Sequence, residues 1–324
     1  MTRFRRCLIH NATPLVLVAM TIHAGSSRSF DPAASPPLQA IVDRAAGAAL
    51  AQFTAQKLET NQIAVTLVDL RDTARPAQAS YRGQEMIYPA SVIKLFYLVA
   101  AHQWLEDGRL ADTAELRRAM RDMIVESYNE ATHYIVDLLT GTTSGPELPP
   151  GELERWFHKR DAVNRYFASL GYTGINANKK PWCEGPYGRE TQAIKAFDPK
   201  RNALTTDATA RLLAEIVTGK AVSVPRCSQM LELMKRDPRP ESKDSDSQGK
   251  FTGPALPPGA ELWSKAGWTS ETRHDAAYIE LPDGHKFVLV TFTVGHANEP
   301  GIIQTVAREV IRGLREPDRT ERQE

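Results

Sequence analysis

At 324 residues, 42% of them hydrophobic and 24% charged, the chain is long enough to bury a substantial core, and its composition is neither that of a disordered polypeptide nor that of a membrane-spanning one. A formal net charge of +1 supplies no basic field for nucleic acid or for an anionic membrane surface. No internal repeat is visible.

Taken in order, Arg3, Arg5 and Arg6 precede "PLVLVAMTI" and then "HAGSS". A basic start, an apolar stretch too short to cross a bilayer and small residues for cleavage read as a secretory signal over residues 1–24, cut after Ala24. Its removal takes away three arginines and no acid, leaving a slightly acidic periplasmic or secreted chain with no membrane span. Cys7 lies inside this segment, without the Leu-x-Gly/Ala pattern of a lipoprotein signal. Residues 25–37, "GSSRSFDPAASPP", have no period and read as a linker. "LQAIVDRAAGAALAQFTAQ" then repeats at helical spacing, "QIAVTLVDL" is a β-branched run suited to a buried strand, and "QASYRG" suits a second one.

From Ser91 to Leu139 the pattern is helical almost throughout, until "SGPELPPGE" interrupts it. A further helix, "ERWFHKRDAVNRYFASLG", is predicted to end at Gly171, a residue suited to a helix C-terminus. Residues 172–203 have little periodicity and read as one long ordered loop, a feature uncommon without a functional reason. "LTTDATARLLAEIVTG" is a helix opened by a Thr or Asp cap, and "RDPRPESKDSDSQGKFTGPALPPG" is a polar excursion. Three strand-like runs follow, "ELWSKAGWT", "AAYIEL" and "KFVLVTFTVG", the last two joined by a "PDGH" hairpin turn. "GIIQTVAREVIRGL" closes the fold, and residues 316–324 are a charged tail. Two strands, a helical block and three strands can form one sheet with a helical lobe beside it. The predicted domain is 38–315, with 38–90 and 255–315 in the sheet lobe and 91–254 mainly helical.

One stretch of this order carries chemistry. "YPASVIKLFYLVAA", residues 88–101, is apolar except for Ser91 and Lys94, and it leaves Lys94 almost no polar face. Burying a cation is costly unless it is paired. Residues three apart share a helix face, so the Ser91 hydroxyl and the Lys94 ammonium can meet. Pro89 favours a helix start near Ser91, which aims free amides and the positive end of the dipole at whatever Ser91 attacks. Desolvation pushes a lysine toward its neutral form, and a neutral amine can take a serine's proton. Ser-x-x-Lys alone arises often by chance, but two further motifs accompany it: "SYN", Ser127-Tyr128-Asn129, in the helical block, and "KAG", Lys265-Ala266-Gly267, on a predicted strand.

With these three motifs in this order, the chain resembles the serine penicillin-recognising enzymes, the class A β-lactamases and D,D-peptidases, over residues 38 to 315. The resemblance implies a mixed α+β fold: a mainly antiparallel five-stranded sheet flanked by helices, with an inserted all-helical lobe and the site between them. It implies that Ser91 is acylated, that Lys94 belongs to its activating network and that Ser127 relays a proton to the leaving nitrogen. Asn129 would bind the substrate's side-chain amide and Lys265 its carboxylate. The backbone amides of Ser91 and Trp268 would form the oxyanion hole, with Gly267 admitting the substrate to the strand edge. The substrate would be a β-lactam or a D-Ala-terminated peptide, met by a monomer.

Departures from the family pattern carry expectations of their own. Ala266 stands where the family has Thr or Ser, so a hydroxyl for the carboxylate is missing; His274 or Arg273 could supply another donor, a surface charge being the plainer reading of Arg273. Tyr128 replaces the usual Asp, and the short interval from Ser91 to Ser127 implies a trimmed loop and an open site. No Glu-x-x-Leu-Asn pattern is present for deacylation, and within "PWCEGPYGRE" Glu184 is the first candidate for the base and Glu190 the second. Without such a base an acyl-enzyme would persist, as in a slow peptidase or a sensor. Cys183 and Cys227 could pair in an oxidising compartment or remain thiols. The eight histidines form no His-Glu-x-x-His and no close His/Cys cluster, and no phosphate-binding glycine loop occurs, so neither metal nor cofactor is expected.

Overall fold

The computed structural model describes residues 30, 32–182, 185–199, 201–239 and 248–316. The expected signal segment, residues 25–29 and 31 of the expected linker, Cys183, Glu184 and the tail after Glu316 lie outside the described residues, while the rest of the expected linker is structured, as a strand over Ala33–Ala34 and a helix that begins at Pro36. The chain enters through the two-residue strand β1 (Ala33–Ala34) and helix α1 (Pro36–Gln52), whose start is capped by the Ser35 hydroxyl accepting from Leu38 N. Strands β2 (Ile63–Asp69) and β3 (Ala77–Tyr81) follow, then a 3-10 turn over Ala90–Ile93 that runs directly into α2 (Lys94–Glu106). The helical block continues with α3 (Ala114–Ile124), α4 (Asn129–Thr140), α5 (Pro150–Arg160) and α6 (Ala162–Ser169). The single helix expected before Gly171 is therefore two. They part at Asp161, whose carboxylate accepts from the Asn164 and Asn178 side chains.

The stretch expected as one irregular loop also holds structure: β4 (Ile175–Asn176), α7 (Gly188–Ala196) and β5 (Ala203–Leu204), with β4 and β5 paired. Helix α7 shows no apolar stripe because its buried face consists of Glu190 and Ala193. Helices α8 (Thr206–Val217) and α9 (Val224–Met234) lead to the short edge strand β6 (Lys235–Arg236). Strands β7 (Glu261–Trp268), β8 (Thr272–Glu280) and β9 (Lys286–Val294) and helix α10 (Gly301–Arg315) complete the chain.

The sheet order is β1-β3-β2-β9-β8-β7-β6, antiparallel throughout except where β1 meets β3. The five strands expected from the sequence are its centre, and the two added strands are two-residue edges. One sheet face packs on α1 and α10, through Val42, Ala45, Val306 and Val310 against Val65, Leu67 and Leu289. The other carries Val68, Val288 and Val290 against the helical side, where α2 is apolar all round and buried from Lys94 to His102. Enclosure of the helix from Lys94 to His102 explains why the sequence there has no polar face.

Candidate active site

The nucleophile candidate sits on a constrained turn. Ile87 exchanges two backbone hydrogen bonds with Leu204, each 2.9 Å, and the Pro89 carbonyl accepts from Val92 N at 3.1 Å to open the 3-10 turn. Ala90, directly before Ser91, has φ of 46°, a left-handed conformation that costs a residue with a Cβ. Such conformations persist where the surroundings over-determine them, and they gather at active sites. Ser91 is half-buried in the first turn, where amide groups lack partners within the helix.

One turn on, Lys94 is 0% exposed, and the question of its burial is answered by its partners. Its ammonium donates to Ser127 O at 2.6 Å and to Asn129 Oδ1 at 2.9 Å, and lies 3.3 Å from Ser127 Oγ. Ser127 has φ of 58°, a second left-handed residue without glycine's freedom. That conformation turns both its carbonyl and its hydroxyl toward Lys94. The turn itself is held by Tyr128 N donating to Asp122 O at 3.0 Å. Two of the three sequence motifs thus meet at one ammonium.

The third arrives on β7. A Cβ built on Gly267 would lie 2.6 Å from Pro89 O and 3.1 Å from Ser91 N, so only glycine lets the strand press this closely on the turn that carries Ser91. Lys265 is 0% exposed, with its ammonium donating to Ala266 O at 3.0 Å. Trp268, one residue past Gly267, is 57% exposed. Ala266 is buried with Phe251 and Ile303, so apolar packing occupies the place where a hydroxyl was missed. Beside it, the Arg273 guanidinium lies 5.2 Å from the Phe251 ring centre and 5.7 Å from that of Trp268, and it donates to Ala297 O at 2.6 Å. Burial holds its pKa below the usual arginine value. Arg273 is therefore a buried cation, where the plainer sequence reading made it a surface charge.

His274 is placed differently from the donor role expected of it. The imidazole is 0% exposed, accepts at Nδ1 from Thr293 N (3.1 Å) and bonds through Nε2 to Tyr88 O (2.9 Å). Both ring nitrogens are occupied by backbone, and none is left for a substrate. Burial lowers its pKa to about 4, so the ring is neutral at pH 7.

The 172–203 segment is tied to the helical lobe by polar side chains. His133, one turn after Asn129 on α4, bonds through Nε2 to Pro181 O at 2.5 Å and packs edge-on against Trp182. Asn202 brackets Lys179 by accepting from its N–H and donating to its carbonyl, and Tyr97 donates to the same carbonyl at 2.7 Å. At the base, buried Glu190 accepts from Arg160 at 2.8 Å and from Ser144 at 2.9 Å, and Lys180 pairs with Asp137 at 2.8 Å. A carboxylate engaged in this way is a structural tie rather than a free base. His133 and the Arg160–Glu190 tie were missed from sequence. The available signals were the four-residue step from Asn129 to His133 and the clustering of acids and bases in a segment without apolar period.

Among the described residues no group of His, Cys, Asp and Glu is arranged to hold a metal. Cys227 is buried on α9, while Cys183 lies outside the described residues.

A serine and a buried lysine on one helix start, a second serine and an asparagine on that lysine, and a lysine-bearing strand against the turn define a serine hydrolase of the β-lactamase type. The chain belongs to the beta-lactamase enzyme family, whose family model matches residues 48–314. No match was found among curated proteins. Among solved structures, the beta-lactamase from Sphaerobacter thermophilus DSM 20745 is similar at 20% identity and a TM-score of 0.62, over 86% of this chain and 99% of that one. PBP-A is similar at 18% identity and a TM-score of 0.58, over 88% and 99% respectively. A beta lactamase from Xanthomonas campestris pv. campestris is similar at 17% identity and a TM-score of 0.61, over 84% and 98%.

Proposed function

We propose that the protein is an exported, class A-like β-lactamase that opens a β-lactam through an acyl-enzyme on Ser91. The observation that carries this reading is the buried Lys94 ammonium held by Ser127 and Asn129 one turn from Ser91. In this reading Lys94 reacts from its neutral amine form, which takes the Ser91 proton as Oγ attacks the lactam carbonyl and returns it through Ser127. The backbone N–H groups of Ser91 and Trp268 stabilise the oxyanion, and Ser127 passes a proton to the ring nitrogen as the C–N bond breaks. Asn129 takes the side-chain amide, and Lys265, with Arg273 beside Trp268, supplies the positive field for the carboxylate. Water then attacks the ester, activated by Glu184.

A second reading, a D-Ala-D-Ala peptidase or a penicillin-binding sensor, is favoured by one observation: Glu190, the second candidate base, stands on α7 and is already bound by Arg160 and Ser144. Deacylation then rests on Glu184, and without it the ester would persist. Turnover of a chromogenic β-lactam by the wild type and by Glu184→Gln separates the two. The β-lactamase reading expects steady hydrolysis by the wild type, and a single burst followed by a stable adduct in the variant. A wild type that itself stops after one equivalent would replace it with the second reading.

A further inference from the structure

The ring of His274 spans three pieces of the protein. It stands on β8 directly opposite Gly267 of β7, the glycine against which the nucleophile's turn is pressed. Its Nδ1 accepts from Thr293 N of β9, which leaves the proton of the neutral imidazole on Nε2, donated to Tyr88 O at 2.9 Å. The ring is held in that orientation by Phe292, 4.6 Å away between centres. Tyr88 lies between Ile87, pinned on both sides by Leu204, and Pro89, whose carbonyl opens the 3-10 turn. The left-handed Ala90 therefore follows anchored residues, and Ser91 inherits its position from them.

We propose that His274 is a positioning residue for the nucleophile: its Nε2–H, aimed at the Tyr88 carbonyl, fixes the turn that sets the Ser91 hydroxyl and amide against β7. The inference rests on the reading of Ser91 as the nucleophile. Two substitutions divide the ring's two bonds. In His274→Gln the side-chain amide reaches the position of Nε2 and can still donate to Tyr88 O, while in His274→Asn it reaches only the position of Nδ1 and serves Thr293 alone. Both lose the ring and its packing on Phe292, so a purely structural role predicts similar losses of stability and equal effects on chemistry.

The experiment measures the acylation rate constant with a fluorescent penicillin, together with hydrogen exchange of the Ser91 and Val92 amides and thermal unfolding, for the wild type and both variants. His274→Asn is expected to slow acylation roughly 10- to 100-fold, the size of effect an ångström of misplacement produces, and to speed exchange of the two amides. His274→Gln is expected to stay within about threefold of the wild type in both, as a rescue by the variant that keeps the donor. Equal acylation and exchange in the two variants, or rates that follow thermal stability alone, would overturn the positioning role. A wild type that no penicillin acylates, with amide exchange still separating Asn from Gln, would overturn the nucleophile and leave the anchoring of its turn established.

Discussion

Gly267→Ala tests the contact on which the site is assembled. The added Cβ would meet Pro89 O at 2.6 Å, Ser91 N at 3.1 Å and a Val92 methyl at 3.1 Å, where ordinary contact begins at 3.4 Å. The two nearest atoms are backbone, so no side chain can swing aside, and the turn must retreat from β7 by about 0.8 Å. Overpacking of this kind costs about 1–3 kcal/mol of stability. Because the retreat moves Ser91, the proposed nucleophile, and its amide relative to Trp268 N, it is expected to slow acylation about 100-fold, equivalent to about 2.7 kcal/mol of barrier. Stopped-flow acylation and thermal unfolding read the two effects separately. Gly47→Ala is the control: it lies in α1 with nothing within 4 Å of the added atom, and should raise stability by about 0.5–1 kcal/mol without touching acylation. A Gly267→Ala enzyme that acylates within threefold of the wild type would refute the close-approach argument.

Other consequences concern groups the chemistry does not use. His102 is buried on α2 with neither ring nitrogen partnered among the described residues, and burial lowers its pKa from 6.5 to about 4. The unfolded chain therefore binds more protons between those values, so stability falls as pH drops from about 6.5 to 4 and levels off below, by up to about 3 kcal/mol for this group. His102→Leu should flatten the acid limb of a denaturation series in that window; an unchanged pH dependence would contradict it. Glu190→Gln should cost about 3 kcal/mol in chemical denaturation, because it removes the carboxylate 2.8 Å from the buried Arg160 guanidinium and leaves it only the 3.4 Å contact with Asp137. A fully stable Glu190→Gln that accumulates an acyl-enzyme would instead make Glu190 the base. Lys94→Ala should abolish covalent labelling while the protein stays folded by circular dichroism, and normal labelling would remove Lys94 from the activating network.

What could be read from the sequence follows physical lines. The central strands announced themselves because β2 and β9 are buried on both faces, giving the continuous runs "IAVTLVD" and "KFVLVTFTV". That Lys94 meets Ser127 and Asn129 follows from two short motifs, one opening α2 and one leading into α4, which become neighbours once the start of α2 is enclosed. Gly267 was singled out for its missing side chain, but as room for a substrate, whereas the atoms that crowd a Cβ there are Pro89 O and Ser91 N. The 172–203 segment was not, since its order comes from Asn164, Asn202, His133 and Arg160, whose partners are distant in sequence and leave no period. His274 was singled out as a possible donor to the substrate carboxylate, but its direction was hidden. Alternation along β8 places it on the face of Gly267, and only the packing of the Tyr88 segment against that face turns a candidate ligand into a structural donor.

Whether Ser91 forms an acyl-enzyme is read from the intact mass of the protein during reaction with a penicillin, with Ser91→Ala alongside. A transient mass increase of one intact penicillin is expected in the wild type, located to Ser91 by peptide mapping and absent from the variant. An adduct of equal size in Ser91→Ala, or loss of penicillin with no adduct at any time of quenching in the wild type, would contradict it.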